Sequence, residues 1–238
     1  MHAAHRRASR SQQDLVWRTL VERQVEAVRA GMAHEFLAGL DRVALDPSRL
    51  PRHGALSAKL RALCGWRIET VPGLIPPRDF FALLRDRRFP SPEWIRHPDD
   101  LEYTPAPDAF HDLFGHVPQL ASEAFVAILA RLADAAREAS DFELAEIERV
   151  YWFTIEFGLV QQGHDVLAMG AGLASSIAEL DRALHANSVR RQPFLTHEAR
   201  RAHFETDRPQ SLYMVAPGLK SLENSLAELG PANRRRVG

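Results

Sequence analysis

Residues 107–118 read PDAFHDLFGHVP, and residues 150–160 read VYWFTIEFGLV. The first string sets His111 and His116 five positions apart, and the second sets Glu156 among Tyr151, Trp152, Phe153, Ile155, Phe157, Leu159 and Val160. Almost any helical orientation therefore puts Glu156 against apolar surface, where a carboxylate is costly unless it is paired or holds a metal. Two imidazoles and one carboxylate are the set with which a non-haem Fe(II) oxygenase grips its metal while leaving coordination positions open. Two accounts compete. An arginine such as Arg78 or Arg96 could pair with Glu156, and the same ligand types serve catalytic zinc in hydrolases. The zincin spacing, two histidines flanking a glutamate on one helical turn, is absent.

The histidine spacing sets a geometric condition. On an ideal helix two residues five apart face directions about 140° different, so an unbroken α-helix cannot present both to one ion. Gly115 favours a helix end and Pro118 opposes resumption. The string thus predicts a helix that stops at Gly115, with His111 in its last turn and His116 on a segment folding back beside it.

Outward from these strings the chain reads as mainly α with a few short β-strands, a single domain over residues 15–229 between disordered basic tails at 1–14 and 230–238. Apolar residues recur at helical spacing from Leu15 to Leu40 with no proline between, which predicts one long amphipathic helix. Residues 55–64 read as a helix closed by Gly65, WRIETV alternates as a brief strand, and a helix is expected near 77–86. Pro90, Pro92, Pro98, Pro105 and Pro107 mark the stretch from Phe89 to Asp108 as a loop, and its content of Trp94, Ile95 and Arg96 marks it as a functional one. Further helices are expected at about 107–115, 122–139, 142–162 and 172–186, a short one after Thr196 and another over 219–229, with a strand at LYMVA.

With 238 residues, 45% of them hydrophobic, the chain can bury a substantial core. A formal net charge of −1 supplies no field for nucleic acid or for an anionic membrane. The single cysteine, Cys64, excludes an intrachain disulfide and fits a reducing cytoplasm. No apolar run approaches the roughly 18 residues of a membrane span, and the amino terminus lacks the apolar stretch of a secretory signal. His164, His185, His197 and His203 stand singly in polar surroundings and read as surface residues.

YTPAPDAFHDLFGHVP, YWFTIEFGL and GAGLASSIAEL, with VPGLIPPRDFF and WIRHP upstream, resemble the catalytic core of the pterin-dependent aromatic amino acid hydroxylases, most closely the bacterial members acting on phenylalanine. The resemblance runs from about Trp17 to Leu222. It implies Fe(II) on His111, His116 and Glu156; a substrate carboxylate held by Arg96 with Thr104 and Ser175; and a ring pocket walled by Trp152, Phe89 and Pro107. It also implies a tetrahydropterin stacked on Phe80, with Gly73, Leu74 and Ile75 along its edge and Asp112 and Tyr151 beside it. The expected reaction is hydroxylation of L-phenylalanine to L-tyrosine with O2, by a cytoplasmic monomer. Tryptophan hydroxylation and attack at the meta carbon are the alternatives within the family, and a zinc hydrolase or a non-catalytic metal protein is the alternative outside it. Asp112 stands where animal members carry glutamate, Ala106 replaces a common acid, and Met169 replaces a common tyrosine.

Overall fold

The computed structural model describes residues 9–101, 106–206 and 208–229. Of the expected tails at 1–14 and 230–238, residues 1–8 and 230–238 lie outside these residues, and the part from Arg10 to Asp14 is helix, which corrects the expectation. Helix α1 (Arg10–Gly31) begins earlier than Leu15, because Ser9 and Gln12 form a capping box that satisfies backbone N–H groups of the first turn. The long helix expected through Leu40 is two. Met32 is extended and the buried Ala33 donates its N–H to the Ala168 carbonyl at 2.7 Å before α2 (His34–Val43) starts. A strand edge thus captures two residues that periodicity alone would keep helical.

Next come α3 (His53–Cys64), closed by Gly65 at φ 79°, β1 (Arg67–Thr70) and α4 (Pro77–Arg85). β2 (Arg88–Ser91) pairs in parallel with β1, so the stretch expected as a loop from Phe89 opens as a strand. Pro90 is tolerated there because β2 has one hydrogen-bonded neighbour.

The centre of the chain supplies α5 (Val117–Leu120), α6 (Glu123–Ala136) and α7 (Asp141–Tyr151). The helix expected over 142–162 ends at Glu156. Gly158 then lies so close to the Thr154 carbonyl that a Cβ would sit 2.3 Å from it, and the chain turns into β3 (Leu159–Gln162). β3 forms a hairpin with β4 (Asp165–Ala168) through Gly163 at φ 63°. Residues 172–186, expected as one helix, are two: α8 (Ala171–Ala174) and α9 (Ile177–His185), the latter capped by Ser176.

β5 (Arg190–Pro193), α10 (Thr196–Ala199), β6 (Leu212–Ala216) and α11 (Leu219–Ser225) complete the chain, with a 3-10 turn over Leu226–Leu229. The main sheet runs β4-β3-β6-β5 and the helices pack about it, α6 contributing Phe125, Ile128, Leu129 and Leu132 to the core. No single described helix is long and apolar enough to cross a membrane.

Candidate metal centre between two cavities

Two π-turns carry the three expected ligands. His111–His116 is one, closed by the Val117 N–H donating to the Asp112 carbonyl, and Trp152–Glu156 is the other, closed by the Phe157 N–H donating to the Trp152 carbonyl at 2.8 Å. In a turn closed from i to i+5, a residue five positions on comes back to the same face. The helix therefore does not stop at Gly115. It runs through Pro118 into α5, which overturns the expected break, and the wider turn achieves the convergence for which a break had seemed necessary. Gly115 has another role: α8 packs so closely that a Cβ there would lie 2.7 Å from the Ala171 carbonyl.

His116 Nε2 lies 3.2 Å from His111 Nε2 and 3.0 Å from Glu156 Oε1, while His111 Nε2 lies 3.5 Å from Glu156 Oε2. These ligand atoms form a cluster able to hold a metal ion. The far side of each ring fixes its orientation. Gln119 donates its amide N–H groups to the Ile155 and Met169 carbonyls, both at 3.0 Å, which aims its Oε1 at His116 Nδ1 at 3.0 Å. Ser175 Oγ donates to the Ala171 carbonyl and so accepts from His111 Nδ1 at 2.9 Å. With both Nδ1 atoms protonated, the Nε2 positions converge on the carboxylate as ligands do.

Electrostatics agree. Burial pushes His111 down to about 4, leaving it neutral. His116 is pushed up, because Glu156 outweighs the burial that would lower it, and burial of Glu156 is in turn outweighed by both imidazoles, which hold its carboxyl at about 2. The proton on His116 Nε2 is the one a metal would displace, and the donor set fits a divalent ion. Neither arginine weighed as a partner reaches Glu156. Arg78 pairs with Asp141, and Arg96 with Asp108.

Two cavities meet at this cluster, sharing Pro107, His111, Trp152, Glu156 and Thr206. The first, of about 350 Å³, brings together Gly73, Leu74, Ile75, Phe80, Asp112 and Tyr151, all expected to share one ligand. Leu74 is 79% exposed at its lip. Phe80 stands edge-on to Tyr151 at 5.2 Å. Burial lifts the Asp112 carboxyl to about 8, so at neutral pH it is an acid able to donate a hydrogen bond. Phe89, expected on the substrate side, lines this first cavity instead, 4.7 Å from the His116 ring.

The second cavity, of about 590 Å³, brings Arg96, Pro107, Trp152 and Ser175 together. Thr104 lies outside the described residues. Arg96 is gripped from one side: Nε and Nη2 donate to Asp108 at 2.8 and 2.9 Å, and the same carboxylate accepts the backbone N–H groups of Arg96 and His111. Burial would raise the Asp108 carboxyl, but the guanidinium and these N–H groups hold it below the usual range. Trp152 donates its indole N–H to Gln210 Oε1 at 3.2 Å and stacks on Phe204 at 4.4 Å.

Sequence reasoning passed over Gln119, Asp108 and Gln210. Gln119 carried a signal, a polar side chain three positions after His116 among apolar neighbours, and so did Asp108 at the entrance to the histidine string. Gln210 carried none, since its partner is distant in sequence.

A sequence model described as biopterin-dependent aromatic amino acid hydroxylase matches residues 11–236, and the chain belongs to that family. A phenylalanine-4-hydroxylase of Mesorhizobium japonicum is 39% identical over 90% of this chain and 78% of its own length; that of Caulobacter vibrioides is 36% identical over 92% and 76%. The crystal structure of Chromobacterium violaceum phenylalanine hydroxylase with bound iron(III) and 7,8-dihydrobiopterin superposes with a TM-score of 0.88 at 37% identity, covering 94% of this chain and 82% of that one. The mainly helical catalytic fold expected from the strings is thus the observed one, and family membership sets aside the zinc hydrolase.

Proposed function

We propose that the protein is an iron- and tetrahydropterin-dependent monooxygenase that hydroxylates L-phenylalanine to L-tyrosine with O2. The observation that carries this reading is the converging set of His111, His116 and Glu156 at the junction of two cavities. Bound there, Fe(II) and a reduced pterin supply oxygen activation and transfer, chemistry no side chain can perform.

The protein contributes placement. Gln119 and Ser175 hold the imidazoles in the tautomer that binds metal. Phe80 offers an aromatic ring to a flat heterocycle, and Gly73, Leu74 and Ile75 line the same cavity. Arg96, its inner edge fixed by Asp108, presents its remaining N–H groups to a carboxylate, and Trp152 and Pro107 confine the aromatic ring beside the metal. Ser175 is so placed that it serves His111 and borders the cavity of Arg96 together.

Oxygen uptake with a tetrahydropterin and phenylalanine, with product analysis, tests the reading. Tyrosine formed in preference to meta-tyrosine, and phenylalanine consumed ahead of tryptophan in competition, are expected; uptake without hydroxylated amino acid would refute it. The reading includes a monomer in the cytoplasm, where reduced pterin and the free thiol of Cys64 both persist. Sedimentation as a dimer would contradict the first half of that statement.

A further inference from the structure

Trp152 opens the π-turn that ends at Glu156, so its backbone stands in a fixed relation to the ligand cluster. Its side chain is half-buried, and what remains to be fixed is the direction of the indole. Three contacts bear on it. Phe204 stacks on the indole at 4.4 Å, Phe157 lies tilted against it at 4.8 Å, and Gln210 Oε1 accepts its N–H at 3.2 Å. Ring contacts permit sliding, whereas a hydrogen bond fixes a direction in the plane of the ring. Gln210 is buried, and its amide has one workable orientation. Oε1 also accepts the Glu205 backbone N–H at 3.2 Å, and Nε2 donates to the Glu205 carbonyl at 2.6 Å. A flipped amide would set its own N–H groups against two donors.

The main chain at Gln210 is anchored independently of its side chain. Its N–H donates to Glu179 Oε1 at 3.0 Å, and its carbonyl accepts from Arg182 Nε at 3.1 Å. Replacing the side chain therefore frees the indole while these anchors keep the chain in place. Trp152 and Gln210 line the second cavity together with Arg96 and Ser175. With the substrate carboxylate at Arg96, the indole is the wall that decides how the substrate ring meets the ligand cluster. We propose that Gln210 is a positioning residue for the reaction. Through Trp152 it sets where the substrate ring stands against His111, His116 and Glu156, and so which ring carbon is oxidised. A displacement of about 1 Å is enough to cost on the order of a hundredfold in rate. This inference rests on the phenylalanine hydroxylation proposed above.

The test is a double-mutant cycle of Gln210→Leu and Trp152→Phe on the iron-loaded enzyme. It reads phenylalanine affinity by calorimetry, the ratio of para to meta product, and the tyrosine formed per tetrahydropterin oxidised. Gln210→Leu should bind phenylalanine about three- to tenfold more weakly, the scale of one hydrogen bond. It should also raise the meta share and lower the tyrosine formed per pterin oxidised. With Trp152→Phe already in place there is no indole N–H to hold, and adding Gln210→Leu should change phenylalanine affinity by less than about twofold. Gln210→Met, close in length and also without the amide, should behave as Gln210→Leu does, and iron content on each variant reports an intact fold. Equal losses of affinity in both backgrounds, or a wild-type product ratio and wild-type coupling in Gln210→Leu, would overturn the assignment. A wild type that forms no hydroxylated amino acid would instead bring down the function on which it rests.

Discussion

Gln119 is the residue on which the metal centre depends most without touching a metal. Its amide is locked by two backbone carbonyls, and its oxygen fixes His116. Gln119→Leu is expected to weaken iron binding by about 10–100-fold, the usual loss on deleting such a support, measured by competition with a chelator. In the proposed reaction Asp108 plays the matching part for substrate, through Arg96. Asp108→Ala leaves a buried guanidinium unpaired, a change that costs about 3–5 kcal/mol, and should raise the KM for phenylalanine well above any effect on the KM for pterin. Titration follows from the same contacts. A metal held as proposed would bind His116 without its Nε2 proton, and the folded apoprotein holds that proton above the ordinary imidazole value. Iron affinity should therefore be full at alkaline pH and decline as pH falls through that raised value, which metal titration at several pH values checks. The triad was legible because Glu156 had no apolar reason to be where it is. Asp108 and Gln119 escaped because a buried polar residue announces itself only when its partners are known.

Elements explain what spacing alone misjudged. Helical and π-helical stretches share one hydrophobic pattern, and the five-residue interval between the histidines was a sign of the wider turn that a glycine-break reading absorbed. Similarly, β4 draws Met32 and Ala33 out of an otherwise continuous helical pattern, an effect of a partner more than a hundred positions away. Of the helix ends with local causes, the left-handed Gly65 was legible in place, whereas the Ser9 capping box was passed over and its helix begun too late. Close approach of α8 to the first π-turn gives the sharpest check on this level. A Cβ at position 115 meets backbone, which cannot yield as a flexible side chain would. Gly115→Ala should cost about 1–3 kcal/mol, as overpacking does, and also lower iron affinity, because α8 leads into Ser175, the support of His111. A stability loss in denaturant titration without loss of iron would separate the two elements that this packing joins.

Across the whole molecule a metal held by the proposed ligands would act as a clasp. One π-turn precedes α6 and α7 and the other follows them, so an ion held by both closes a loop of chain and couples the two cavities. Binding to the native state at a hundredfold excess over Kd adds about 2.7 kcal/mol. At roughly 2–4 °C per kcal/mol for a domain of this size, Fe(II) should raise Tm by about 5–10 °C, and Glu156→Ala should abolish that rise. The most direct test of the central claim is iron content measured alongside tyrosine formation for wild type and Glu156→Ala, with tetrahydropterin, phenylalanine and O2 supplied. One iron per chain and tyrosine from the wild type, with neither from the variant, is the expected result; a variant that keeps stoichiometric iron and still forms tyrosine would contradict it.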